Sequence, residues 1–459
     1  MGVVRTCAAG FLIVLSLALV PPLEATEFSL FEPSARAAGL GGAFVARADN
    51  VFALAYNPAG IAFLDGLRLE TGCLINTRTM TVSAAGTDRR ITSDPFQFWG
   101  TAALSWQPWP WVTLGVGYFS PYSARFIWPW TWAAEKRSIN MKFSAHYLRP
   151  AVAFRLPGNL AVGAGLDIVF SDVLWVHEIT SSLGRFPQLP TIRAESRNAL
   201  SGHGLGFSCG FLWKAHRLFQ VGAKYQHPVA IDYRGEDIFE SRTPLPPLIP
   251  HPTLGRLYYN EFFSLYFKRQ NMTSTLSLPR DIVCGVLIAP VPNLSLTFDV
   301  QWTAWHKMGP WEFVSVNADG DINPEFTPLY QEFYGLTLDY GRQDAGIVLK
   351  DARKFKGGVE YRLFGRFGLR AGLARHESAV KAGDLNPVYP DLDRTVLSLG
   401  FGHEGPFYSI WDRKEMGQIS ADVYFQYIWA KKTTSSLSPV EMTYQGDRWV
   451  LGVGVGFIF

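Results

Sequence analysis

The sequence predicts an all-β fold: a transmembrane antiparallel β-barrel of about 14 strands with a small N-terminal hatch, or plug, inside its lumen. Three observations point there. Many segments alternate in period two between an apolar face and a face of Gly, Ser, Thr, Gln and single charges. The connections between them are short and long by turns. Ahead of them all, residues 36–64 (RAAGLGGAFVARADNVFALAYNPAGIAFL) are rich in Gly and Ala and show no strand alternation.

Taken in order, residues 1–25 read as a secretory signal peptide. Arg5 supplies the positive start, an apolar stretch runs from Cys7 to Val20, and Leu23-Glu24-Ala25 offers a cleavage site. Beyond it no run approaches the roughly 18–20 apolar residues of a membrane helix. Residues 26–66 are the expected hatch. Gly39, Gly41 and Gly42 permit tight turns and close packing, and Asn57-Pro58 marks a turn because proline restricts the residue before it.

Residues 67–459 are the expected barrel. Leu160, Val162, Ala164, Leu166, Ile168 and Phe170 share one face, opposite Gly163, Gly165 and Asp167. Leu294, Leu296, Phe298, Val300 and Trp302 oppose Ser295, Thr297, Asp299 and Gln301, and Ser420, Asp422, Tyr424 and Gln426 point inward in the same manner. A soluble sandwich would alternate too, but with more Lys and Glu on its polar face. Strands are expected to start near Leu67, Phe96, Val112, Lys142, Leu160, Gly202, Leu218, Thr273, Leu294, Ala345, Phe367, Thr395, Ile419 and Trp449. Turns such as Pro108-Trp109-Pro110, Pro157-Gly158-Asn159 and Pro292-Asn293 are tight, whereas the connections between them are long, the asymmetry of periplasmic and extracellular ends. The turn over residues 405–417 is longer than this pattern expects.

Composition excludes several functions. A net charge of +3 gives no reason to expect nucleic acid. Cys73, Cys209 and Cys284, left after processing, are odd in number and far apart, which argues against a disulfide framework or a metal site. His146, His203, His227 and His306 are scattered singly, with no Ser–His or acidic pair beside them, so an enzyme is not expected. Residues 317–323 resemble a calcium loop but place Ile322 and Pro328 where it needs Gly and Glu. No cofactor and no metal are expected.

The block Ala37-Ala38-Gly39, Gly41-Gly42-Ala43-Phe44-Val45-Ala46 followed by Asn57-Pro58-Ala59-Gly60 resembles the hatch of the FadL family, outer-membrane transporters of long-chain fatty acids and other hydrophobic compounds. Further blocks along the chain agree in order, among them Leu278-Pro279, the Val300-Gln301-Trp302 run, Lys350-Asp351 and Arg370-Ala371-Gly372. The resemblance implies passive uptake across the Gram-negative outer membrane by loop capture, a lumen pocket and lateral exit through the wall. The partners it implies are a long-chain fatty acid or another hydrophobic small molecule, outer-membrane lipids and the barrel assembly machinery, with the protein a monomer. Aromatic or alkane hydrocarbon uptake is the alternative within transport, and a structural or adhesive surface barrel the alternative outside it.

Residues follow from this reading. Asn57, Pro58 and Ala59 form the hatch motif. Gly115, Gly117 and Pro121 would weaken the third strand for a lateral exit, since Gly and Pro disturb ladder pairing. The apolar loop segments 126–132 and 245–266, with Trp130, Phe262 and Phe263, suit capture of a lipid-like molecule. By parity Arg370, Lys224 and Lys356 point inward and could meet a carboxylate, or pair with acidic neighbours in the wall. The last strand ends at Phe459, expected to be the assembly signal.

Overall fold

Period-two alternation turns the chain into a ring of strands, each hydrogen-bonded to the next. The computed structural model describes residues 32–84, 97–128, 138–181, 191–242, 269–316, 342–408, 415–435 and 441–459, with short pieces between 249 and 267. The leader expected over residues 1–25, the polar loop 317–323, Trp130 and Phe262 lie outside the described residues.

The strands run β1 (Leu67–Ala84), β2 (Gln97–Trp109), β3 (Val112–Ile127), β4 (Asn140–Leu156), β5 (Leu160–Ser181) and β6 (Ile192–His216). The next four are interrupted: β7 (Phe219–Gln226, Val229–Ser241), β8 (Gln270–Leu278, Asp281–Val291), β9 (Leu294–Thr303, Glu312–Val316) and β10 (Arg342–Asp344, Ala352–Leu363). The ring ends with β11 (Phe367–His376), β12 (Arg394–Tyr408), β13 (Glu415–Ala430) and β14 (Met442–Ile458). Pro228 and Pro279 sit at the breaks in β7 and β8, where a missing N–H ends a ladder. All neighbours are antiparallel, and β14 pairs with β1 from Arg68↔Ile458 to Ala84↔Met442, which closes a 14-stranded barrel. Among the described residues no helix is long and apolar enough to cross a membrane.

Most strands that rise from the short-turn end begin where the alternation places them, the thirteenth starting earlier, at Glu415 rather than Ile419. Leu67, Val112, Leu160, Leu294 and Phe367 are all first residues of strands. Three that descend from the long-loop end differ. The sixth begins at Ile192 rather than Gly202, the fourteenth at Met442 rather than Trp449, and the tenth makes three pairs, leaves the ladder at Ala345 and resumes at Ala352. The cause is an inversion of polarity. Near the long loops the inward face is apolar, and Phe126, Trp128, Met141, Phe143, Trp175, Tyr233, Phe313 and Tyr444 form one buried cluster with Trp305 and Trp311. Phe126 and Trp128, read from the sequence as loop residues, therefore belong to this lumen cluster. The turn after β12 is confined to residues 409–414, because pairing continues to Tyr408↔Glu415.

Below that cluster the expected lumen appears. Asp167, Thr297, Asp299, Gln301, Tyr424 and Gln426 are buried inward, whereas Leu166, Phe298, Val300, Leu451 and Val453 are exposed on the outer wall. Residues 32–66 fill this lower lumen with helix α1 (Ala35–Gly39), helix α2 (Ala53–Tyr56) and a 3-10 turn over Pro58–Phe63. Gly41 and Gly42 take φ values of +67° and +78°, conformations that side chains with a Cβ resist. Wall glycines let this segment approach closely: a Cβ on Gly163 would lie 2.6 Å from the amide nitrogen of Ala59, and one on Gly358 would lie 2.6 Å from the Leu40 carbonyl oxygen.

The barrel closes at its last residue. Phe459 donates its amide to the Leu67 carbonyl at 2.8 Å and accepts from the Leu67 amide at 3.2 Å. Its ring stacks on Phe457 at 6.3 Å, and Phe457 meets Phe407 at 5.6 Å. Deleting Phe459 is expected to reduce the heat-modifiable, membrane-inserted form on a gel while leaving synthesis unchanged. Normal insertion of the truncated chain would show that closure and assembly do not need this residue.

Candidate functional site

The lower lumen is lined by charges, and the buried ones among them are matched, as an unpaired buried charge is costly. Arg370 donates to Glu360 at 2.5 Å and to Asp422 at 2.5 Å. Glu360 also pairs with Arg36 at 3.3 Å, Arg362 at 3.1 Å and, at close contact, Arg47. Asp49 joins through Arg36 at 3.2 Å and Arg47 at 3.0 Å. Burial alone would raise the pKa of Asp49, but the two guanidinium groups hold it below the ordinary carboxylate value. The structure thus places Arg370 in a network tying hatch to wall rather than facing open space.

Asn57, Pro58 and Ala59 lie in the barrel against β5 and β6. The Asn57 amide donates to the carbonyls of Val45 at 2.8 Å and Phe211 at 2.9 Å, and its side-chain oxygen accepts from the Ala59 amide at 3.2 Å. Pro58 then opens the 3-10 turn at a position where no N–H is needed. Three wall residues complete the fixing, of which the alternation already places Asp299 and Gln426 inward. Asp299 accepts the Phe44 and Val45 amides at 2.7 and 2.8 Å. Gln426 donates to the Ala38 carbonyl at 3.0 Å. Arg149 donates to the Leu54 carbonyl at 2.8 Å while bound to Asp167 at 2.5 Å. Arg149 is not singled out from the sequence, whereas its partner Asp167 on the adjacent strand is read as inward.

Above the hatch a small cavity of about 90 Å³ meets the third strand. Its walls include Lys224, Lys354 and Lys356, the hatch residues Glu32 and Tyr56, and Phe119, Pro121 and Tyr122 of β3. Lys224 donates to the Ala55 carbonyl at 2.7 Å, and Lys356 reaches Glu32 at 3.4 Å. Lys354 shares the inward parity of Lys356, a signal present in the sequence.

Pro121 belongs to a bulge. Phe119 pairs with Tyr147 and Tyr122 with Ala145, so Ser120 and Pro121 oppose His146 alone. The extra residue flips the parity of β3: Thr113 and Phe119 are buried inward before it, Tyr122, Ala124 and Phe126 after it. On its other side β3 pairs with β2 only as far as Ala102↔Tyr118, leaving the wall unpaired above that point among the described residues. Gly115 and Gly117 lie below in regular pairing, facing Leu54. Phe263 sits in the long connection after β7, its ring stacked on Phe267 at 4.5 Å.

The model of the family described as outer membrane protein transport protein (OMPP1/FadL/TodX) matches residues 22–459. The chain belongs to this family. It is therefore an outer-membrane transporter of hydrophobic substrates and not an enzyme. It is 22% identical over 456 residues to the long-chain fatty acid transport protein of Salmonella typhi, covering 92% of each chain. Among solved structures it resembles a Pseudomonas aeruginosa FadL homologue with a TM-score of 0.75 at 15% identity, over 95% of this chain and 100% of that one. It also resembles the P. putida toluene transporter TodX, with a TM-score of 0.65 at 14% identity, over 95% and 99% of the two chains.

Asn57→Ala leaves the buried Val45 and Phe211 carbonyls without their donor, a loss of roughly 1–3 kcal/mol in hatch docking. The barrel ladder is untouched. The expected result is faster amide exchange in the hatch and reduced uptake, with unchanged heat-modifiable folding. Uptake and exchange both at wild-type level would remove the hatch from the transport step.

Proposed function

We propose that the protein carries long-chain fatty acids passively from the outside to a lateral exit in its wall. The observation that carries this reading is the cavity above the hatch, where Lys224, Lys354 and Lys356 converge beneath an aromatic upper lumen. An amphipathic carboxylate meets both surfaces at once: its tail among the rings, its head at the ammonium groups. Trp130, Phe262 and Phe263 are proposed to serve the earlier capture step at the long loops. The cavity is too small for a whole long chain, so the tail must separate rings of the upper cluster as it enters.

Glu32 gives the site a reason to move. Its carboxylate already pairs with Lys356 at 3.4 Å, where the substrate's own head group would bind. A fatty acid that takes this cation frees the hatch segment from the wall. Exit is proposed at the Ser120–Pro121 bulge, which borders the same cavity and adjoins the unpaired stretch between β2 and β3. The axial route is unfavourable for an apolar chain. A cavity of about 560 Å³ at the periplasmic mouth is lined by Arg36, Asp49, Arg68, Glu404 and Asp422.

Neutral aromatic hydrocarbons are the second reading, favoured by the aromatic upper lumen and independent of any cation. The two separate in one experiment. A charge-assisted bond to a partly desolvated carboxylate contributes roughly 1.5–3 kcal/mol, on the order of tenfold to a hundredfold in affinity. Wild type is expected to bind oleate more tightly than methyl oleate by such a factor. Lys224→Ala and Lys356→Ala are expected to shrink the gap, and Glu32→Gln to improve oleate binding without helping the ester. Equal affinity for acid and ester in wild type would reject the carboxylate site and favour the hydrocarbon reading.

A further inference from the structure

The outer wall carries a second polar cleft that transport through the lumen does not use. Strand pairing stacks its residues in rows across β5, β6 and β7. Phe170, His203 and Asp232 form one row, Asp172, Ser201 and Arg234 the next, and Leu174, Ala199 and Glu236 the one above. The lowest row already carries Phe170, 52% exposed, and one step below it the wall turns apolar at Leu205, 67% exposed. Two residues of strand rise about 7 Å, so the change from hydrocarbon-facing to charged occurs within one step. This end of the barrel carries the long connections, so the cleft faces the outer leaflet.

Lys142, Arg197 and Arg234 border the cleft, which has a volume of about 780 Å³, and the small residues Ala199, Ser201 and Gly235 form part of its lining. Arg197 lies four residues beyond Ser201 on the same face, on the order of 13 Å along the strand. The acidic groups of the patch are Asp172, Asp232 and Glu236; Glu236 is paired with Arg269 and Asp232 accepts from Thr275 at 3.2 Å. Arg197 and Arg234 are both exposed, and neither has an ion pair among the described residues.

We propose that this cleft binds the phosphorylated glycolipid of the outer leaflet, with a sugar phosphate at Arg234 and a second phosphate at Arg197. Guanidinium groups recognise phosphate through paired N–H donors. The acyl chains then lie along Leu205 and Phe170, which a free phosphate cannot use. A headgroup carrying two phosphates across a disaccharide suits two cationic centres set apart along the wall, with Lys142 at an intermediate height on β4, across β5 from them. The small floor residues leave room for the sugar rings against the wall.

The test uses the whole barrel, purified and stripped of lipid in detergent, with three probes: bis-phosphorylated lipid A, the same lipid dephosphorylated, and inorganic phosphate. Wild type is expected to bind the phosphorylated lipid at least about tenfold more tightly than the dephosphorylated form. Arg197→Ala/Arg234→Ala is expected to lose that preference, while Arg366→Ala on a periplasmic turn keeps it. Both exposed arginines can be truncated without opening the core, and heat-modifiable migration checks that each variant is folded. Equal binding of the two lipids, wild-type affinity in the double variant, or full displacement of the lipid by millimolar inorganic phosphate would each overturn the proposal. None of these outcomes depends on the lumen cargo.

Discussion

Closure of the hydrogen-bonded wall is the constraint on which the rest of this structure depends. In hydrocarbon an unpaired backbone group costs several kcal/mol, so a sheet in a membrane can have no free edge. The pairing of Leu67–Ala84 with Met442–Ile458 removes the edge. A ring of this size encloses a lumen wider than its own side chains fill. Something else must occupy that space, and residues 32–66 do. Irregular backbone inside a barrel has polar groups of its own, which accounts for the second tier of partners: Asp299 for the Phe44 and Val45 amides, Arg149 for the Leu54 carbonyl, Gln426 for the Ala38 carbonyl.

The barrel is zoned along its axis as a consequence. Within the membrane the outside must be apolar, which leaves the inside for polar and small residues. Above the membrane that demand lapses, and the inside becomes an aromatic core closed over by the segments that leave the ladder at Ala304 and Ala345. Charges concentrate where the hatch meets the wall. Around Glu360, Arg36 and Arg47 of the hatch meet Arg362 of β10 and Arg370 of β11, and removing one partner of such a buried pair typically costs about 3–5 kcal/mol. The cavity lies at the border between the two zones, where lysines and aromatic rings line the same space.

The third strand couples these zones to the bilayer. Its bulge at Ser120–Pro121 reverses which residues face inward, so one strand supplies Gly115 and Gly117 to the hatch and Tyr122 and Phe126 to the upper core. Beside the same bulge the β2–β3 pairing ends among the described residues. Among the described residues, this one strand thus brings the floor of the aromatic core, the top of the hatch and the end of the β2–β3 pairing together.

The sequence by itself determined the architecture. Alternation within the membrane is imposed by lipid on one side and a lumen on the other, so strands such as Leu294–Thr303 and their inward residues were legible from period two alone. The hatch was legible because small residues and Asn57-Pro58 interrupt that period. Only the tertiary structure decided which charges meet. Lys224, Lys356 and Arg370 share an inward parity, yet Arg370 is enclosed by Glu360 and Asp422 while the two lysines border open space. Parity assigns a face but not a height or a neighbour across the lumen, and Glu32, Arg149 and Asp299 find partners from distant parts of the chain. The upper strand ends were illegible for the same physical reason: outside the bilayer the rule that writes alternation into the sequence no longer applies.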